Sequence, residues 1–249
     1  MRRNRVISII LAGGKGTRIK KKTPKVLLKI KNKTLIQISI NLAETFSHKI
    51  NIVINKTLIF LKNELKNHNF FLQKNSLGTG HAVKEFFKNK RFNKKNYFMI
   101  LYADTPFILR SDINKMLKKS KIFDLVILAF KTKINKDCGL IQKDKSSVIE
   151  IIEYKNSSKQ QRKINICNSG IMIFNYKVKK LLKLIKKDTT TKEFYLTDIV
   201  KISQKKSLNV GVVISNNEIR SRGINDIKTY KKNIRYFKKK LIYQKKHGS

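Results

Sequence analysis

Short apolar runs alternate with longer amphipathic stretches through the first hundred residues. VISIIL (6–11) is apolar apart from Ser8 and reads as a buried strand, as do INIVI (50–54), FFL (70–72) and YFMILY (97–102). Between them, 34–47 carries Leu35, Ile38, Leu42 and Phe46 at the three-to-four spacing of a helix with one face inward. Residues 57–67 and 79–89 read as two further helices. Strand alternating with helix predicts an α/β fold, a mostly parallel sheet with helices on both faces and a ligand crevice beyond the carboxyl ends of the strands. The second half differs in texture. DLVILAF (124–130), CGLI (138–141), VIEIIE (148–153) and GIMIF (170–174) are separated by polar loops, which predicts an antiparallel extension that makes the sheet mixed and covers the crevice. VGVVI (210–214) adds a strand, and Asp226 to about Lys246 reads as a basic helix with Ile227, Tyr230, Ile234, Phe237 and Leu241 along one side.

Composition changes this picture little. A length of 249 residues with 41% hydrophobic content can bury one large core or two smaller ones, and one α/β domain is expected. No apolar run is long enough to span a membrane, and the basic start MRRNR leads into a glycine loop rather than a cleavage site, so a cytoplasmic protein without a membrane partner is expected. Cys138 and Cys167 stand in different segments and indicate no disulfide framework. The net charge of +43 invites a nucleic-acid reading, but 48 of the 58 basic residues are lysines spread over nearly every loop and helix. A dedicated binder would gather arginine on one face, so no specific nucleic-acid partner is expected.

Candidate chemistry follows the first strand. Gly13, Gly14 and Gly16 allow a sharp turn that aims successive N–H groups at one point, and Lys15, Arg18 and Lys25 ring it with positive charge, a natural place for phosphate. Neither G-x-x-x-x-G-K-[ST] nor G-x-G-x-x-G is matched. A second constellation runs from Gln73, whose amide can pair with a base edge, to Gly78, Thr79 and Gly80 at the start of a helix. His81 beside them has no partner nearby in sequence and reads as structural. Asp104 stands one step past the strand 97–102, where a carboxylate faces the same crevice, and the bland alternative is a turn-starting Asp before Thr-Pro.

The string L-A-G-G-K-G-T-R followed by Pro24-Lys25 resembles the signature of the sugar-nucleotide pyrophosphorylases, and Q-K-N-S-L-G-T-G-H-A (73–82) resembles a segment of bacterial N-acetylglucosamine-1-phosphate uridylyltransferases. G-x-I at Gly139, Glu153 with Lys155, N-x-G at Asn168 and the E-F-Y-L-T-D string (193–198) match further segments of that family in its order. The resemblance implies a Rossmann-like sheet of the nucleotide-diphospho-sugar transferase type with a small sugar-binding extension. It implies Arg18 and Lys25 as catalytic residues, and Leu11, Ala12, Gly14, Lys25, Gln73, Gly78 and Thr79 at the nucleotide. Gly139, Glu153, Asn168, Tyr195 and Thr197 would hold the sugar, and Asp104 and Asn225 a Mg²⁺ ion. The implied reaction joins UTP to N-acetylglucosamine 1-phosphate, giving UDP-N-acetylglucosamine and pyrophosphate for cell-envelope polysaccharide. The rivals are a sister enzyme with another sugar or nucleotide, and a nucleic-acid-binding protein on an inactive scaffold of this kind.

Residues 1–230 are expected to form the nucleotidyltransferase domain and 231–249 a basic C-terminal helix and tail. Two departures stand out. Arg222 replaces the acid usual before G-[VI]-N, which predicts either a weaker metal site or a base that neutralises leaving pyrophosphate, and Cys138 stands where many relatives have Tyr. Bacterial members are commonly bifunctional through a C-terminal acetyltransferase domain of hexapeptide repeats. The 249 residues contain no such repeats, so the expectation is a monomer or weak oligomer without acetyltransferase activity.

Overall fold

A computed structural model describes residues 5–14, 23–88, 90–136, 138–144 and 147–247, with side chains described to 237. The first strand, β1 (Val6–Leu11), is buried on both faces because its side chains alternate between two apolar layers. Val6 and Ile10 face one layer, Ile9 and Leu11 the other. A two-stranded ribbon, β2 (Lys29–Ile30) and β3 (Lys33–Thr34), leads into α1 (Leu35–Glu44). Thr34 begins that helix through a reciprocal cap: its Oγ1 accepts from Gln37 N, and Gln37 Oε1 accepts from Thr34 N.

Next come β4 (Ile50–Ile54), α2 (Leu61–Glu64), β5 (Asn69–Leu72), α3 (Thr79–Phe87), β6 (Tyr97–Tyr102) and α4 (Arg110–Lys119). They are followed by β7 (Leu125–Lys131), β8 (Gly139–Asp144), β9 (Ser147–Glu153), β10 (Ile166–Asn175), α5 (Tyr176–Leu181), α6 (Asp198–Lys205), β11 (Val210–Ser215), α7 (Glu218–Ser221) and α8 (Ile227–His247). The main sheet runs β5-β4-β1-β6-β10-β7-β11-β9-β8. Strands β5, β4, β1 and β6 are parallel neighbours, and so are β7 and β11. β10 is antiparallel to β6 and β7, and β8 is antiparallel to β9. The sheet is therefore mixed in near-equal parts rather than mostly parallel, because β10 sits in its middle instead of in a peripheral extension.

Helices cover both faces. Ile36 and Ile40 of α1, Leu61 of α2 and Ile113 and Met116 of α4 pack on one apolar layer; Val83 and Phe86 of α3, Val178 of α5 and Ile199 and Val200 of α6 pack on the other. The single helix expected over 57–67 is broken into a 3₁₀ turn at 56–58 and the one-turn α2. Asn55 is responsible at its start: its Oδ1 accepts from both the N–H and the hydroxyl of Thr57, fixing a tight local turn. Among the described residues no helix is long and apolar enough to cross a membrane.

Candidate active site

The carboxyl ends of β1, β5 and β6 open on one cleft of about 390 Å³. At its floor the chain leaving β1 is held on both sides, by Ala12 N donating to Val53 O at 2.9 Å and Ala103 N to Leu11 O at 3.1 Å. Gly13 follows, with its carbonyl accepting from Asn55 Nδ2 at 3.1 Å. A Cβ there would lie 3.1 Å from Gln73 Oε1 and 3.3 Å from Asn55 N, so a side chain would crowd both. Gly14 has open space around it instead. Lys15, Gly16 and Arg18 lie outside the described residues.

Lys25, at the start of a 3₁₀ turn after Pro24, sends its ammonium into the cleft. It donates to Asp104 Oδ2 at 2.5 Å and to Asn225 Oδ1 at 3.2 Å. Asp104 follows the end of β6, and its carbonyl accepts from Ile224 N at 2.7 Å, which fastens the 223–225 turn against the sheet edge and brings Asn225 to the same point. Two oxygen donors thus converge on one cation. Among the described residues no group of three or more His, Cys, Asp or Glu could hold a metal. The pair fits Mg²⁺, a hard ion that takes one or two protein oxygens and completes its shell with phosphate and water.

Residues expected at the nucleotide meet around Gln73, which is 3% exposed. Its Nε2 lies 3.0 Å from Gly78 O and 3.0 Å from His81 Nδ1, so His81 has a partner eight residues away that the sequence did not suggest. Gly78 adopts φ +93°, and a Cβ there would come within 2.6 Å of Phe194 O, which makes glycine obligatory. Phe194 is clamped between Leu77 O and Gly80 N, each at 2.8 Å, while Thr79 Oγ1 accepts from Leu196 N at 3.1 Å.

Of the sugar-side candidates, Tyr195 alone lines the cleft, while Gly139, Glu153, Asn168 and Thr197 form contacts among themselves outside its lining. Gly139 pairs with Glu153 across β8 and β9, and a side chain added at Gly139 would touch Asn168. Asn168 Oδ1 accepts from Gly170 N at 3.0 Å, Thr197 Oγ1 donates to Glu153 Oε1 at 3.2 Å, and Lys155 Nζ donates to the Tyr195 hydroxyl at 2.6 Å. Tyr195 lines the same cleft as Lys25 and Gln73. Burial pushes the Glu153 carboxyl up, with the Thr197 hydrogen bond and Lys155 opposing it. The lining also includes Tyr102 and Glu193, which sequence reasoning passed over. Their signals were present: Tyr102 ends the strand that delivers Asp104, and Glu193 opens the E-F-Y-L-T-D string.

Residues 8–162 match the MobA-like NTP transferase domain. The chain belongs to that family. This NTP transferase is 37% identical over 220 residues to a Wolbachia protein (from Brugia malayi) named bifunctional protein GlmU, covering 87% of this chain and 53% of that one. It is 32% identical over 246 residues to the protein of the same name from Buchnera aphidicola of Baizongia pistaciae, covering 96% and 53%. The chain thus spans about half the length of these curated relatives. Its fold is that of the nucleotide-diphospho-sugar transferases: a UDP-glucose pyrophosphorylase solved with UDP-glucose superposes with a TM-score of 0.71 at 18% identity, covering 95% of this chain and 99% of that one. The inositol-1-phosphate CTP transferase from T. maritima gives 0.68 at 14% identity, covering 94% and 97%.

Two further residues of this NTP transferase depart from expectation. The Arg222 guanidinium turns away from the Asp104–Asn225 pair. It donates to Glu218 Oε1, to Thr132 Oγ1 at 2.9 Å, to Ile134 O and to Cys138 Sγ at 3.3 Å, bracing α7 against the loop that follows β7. With its donors engaged there, the guanidinium serves as a structural brace in this arrangement. Cys138 and Cys167, far apart in sequence, form no disulfide; their thiols are in hydrogen-bonding contact, and that bond together with burial pushes the Cys167 thiol well up.

Asp198, first residue of α6, is pushed from an ordinary 3.8 to about 6, chiefly by burial and then by Asp188 and Glu153. The folded state therefore holds a proton that the unfolded chain has lost between about pH 4 and 6. Stability contributed by this residue falls as pH rises through that window, and the full cost is present above it. Asp198→Asn should therefore stabilise the protein at pH 7.5 by about 1 to 2 kcal/mol, allowing for partial solvent screening. Denaturant titrations of both proteins at pH 7.5 and pH 4 check this; most of the gain should be gone at the lower pH.

Proposed function

We propose that this NTP transferase is a sugar-1-phosphate nucleotidyltransferase that makes UDP-N-acetylglucosamine and pyrophosphate from UTP and N-acetylglucosamine 1-phosphate. The observation that carries the reading is the convergence of Lys25, Asp104 and Asn225 in one cleft with Gln73 on one side and Tyr195 on the other. The resemblance of residues 73–82 and 193–198 to N-acetylglucosamine-1-phosphate uridylyltransferases supports the finer choice of substrates, as do the GlmU relatives.

In this reading Leu11, Ala12, Gly14, Gln73, Gly78 and Thr79 hold the nucleotide, and Gly139, Glu153, Asn168, Tyr195 and Thr197 the sugar. An oxygen of the sugar phosphate attacks the α-phosphorus in line, and pyrophosphate leaves with the bond it loses; no covalent enzyme intermediate is needed. The two substrates are both polyanions, so the barrier is dominated by bringing them together. Lys25, with Arg18, which lies outside the described residues, offsets that repulsion. Mg²⁺ held by Asp104 and Asn225 supplies further neutralisation of the phosphates when bound.

The test is pyrophosphate release measured across nucleotides and sugar phosphates. UTP with N-acetylglucosamine 1-phosphate should give the highest kcat/KM. Equal or higher efficiency with glucose 1-phosphate would overturn the sugar assignment, and absence of release with every pair would overturn the reaction.

A further inference from the structure

We infer that His81 is a positioning residue for base choice, acting through the Gln73 side chain; this rests on the uridylyl-transfer reading above. Gln73 is nearly fully buried, and its amide nitrogen has two acceptors, Gly78 O at 3.0 Å and His81 Nδ1 at 3.0 Å. An amide nitrogen carries two hydrogens, so both are taken. A carbonyl can only accept, and His81 accepts through Nδ1 when its proton sits on Nε2. That nitrogen faces Glu85 Oε1 at 3.8 Å, one helical turn on along α3, which favours the tautomer required.

With the nitrogen held from two sides, Oε1 is left at Gly13, on the floor of the cleft. The buried amide thus presents an acceptor to the base and withholds its donor. An acceptor fits the N3–H of uracil and opposes the bare N3 of cytosine, so the discrimination depends on the amide not rotating. His81 does not line the cleft, and its ring leans on Phe194 with centroids 6.0 Å apart. It acts from behind: without its acceptor, only Gly78 O opposes rotation of the amide, and the flipped amide would offer a donor suited to cytosine.

The experiment measures kcat/KM for UTP and for CTP, with the same sugar phosphate, in wild type, His81→Leu and His81→Asn. Leu removes the acceptor; Asn restores one close to the position of Nδ1. His81→Leu should lower the UTP-to-CTP ratio by about tenfold, the scale of one lost buried hydrogen bond, while His81→Asn keeps most of it. A purely structural role would lower both nucleotides alike and leave the ratio unchanged. An unchanged ratio in His81→Leu, or equal losses in Leu and Asn, would overturn the inference. Should His81→Leu fail to fold, His81→Phe, which keeps a ring against Phe194, carries the same comparison. If wild type itself showed no preference for UTP, the uridylyl reading would fall instead, which separates the two failures.

Discussion

Asp104→Asn should leave the fold unchanged and lower turnover by on the order of 10²- to 10³-fold, the scale of removing one preorganised charge from a site of this kind. The substitution keeps the shape of the side chain and an oxygen that can accept from Lys25. Its backbone role, holding Ile224 N at 2.7 Å, is untouched. What disappears is the negative charge of a side chain that is 19% exposed and paired with the Lys25 ammonium. The amide binds a divalent cation far less well, so the Mg²⁺ concentration for half-maximal rate should rise together with the fall in kcat. Circular dichroism and a Mg²⁺ titration of pyrophosphate release check both halves. Near wild-type rates at low Mg²⁺ would remove Asp104 from the metal site.

Lys25→Ala should lower turnover by about 10²-fold or more, with a different signature. In the free protein the ammonium occupies the point where the Asp104 and Asn225 oxygens meet, so lysine and divalent cation compete for the same partners. Removing the ammonium costs the phosphates a counter-charge but removes that competitor. The variant should therefore need no more Mg²⁺ than wild type for half-maximal rate while kcat falls. A fall in kcat accompanied by the same raised Mg²⁺ requirement as Asp104→Asn would mean that Lys25 serves the metal site rather than the phosphates.

The parts of the fold that were legible in sequence are those where burial imposes a pattern with no competing signal. β1, β4 and β6 are apolar on both faces because helices cover both, and their runs stand out from a lysine-rich background. α4 was not legible, since only Ile113, Met116 and Asp112 are buried in a helix otherwise rich in charge. The sequence shows only five residues of β10 because Asn168 and Ser169 interrupt its apolar pattern. In the sheet the strand continues through them with a shift of register between Asn168 and Met172. Site residues at the ends of strands could be placed from the α/β pattern alone. The contacts between Lys25, Asp104 and Asn225 span 79 and 200 residues of sequence, and no spacing rule reaches that far. Arg222 shows the opposite limit: its neighbour Gly223 lies close to Asp104 and Asn225, yet its own side chain points elsewhere, into Glu218, Thr132 and Cys138.

The clamp on Phe194 joins segments that would otherwise belong to different substrates. Leu77, Thr79 and Gly80 stand on the side proposed for the nucleotide, Phe194 and Leu196 on the side proposed for the sugar, and three backbone N–H groups stitch the two together at 2.8, 2.8 and 3.1 Å. Neither strip can be displaced without dragging the other. If the proposed substrates bind on these two strips, ordering imposed by the first to arrive is inherited by the second, and thermodynamic linkage requires the resulting gain in affinity to be the same whichever comes first.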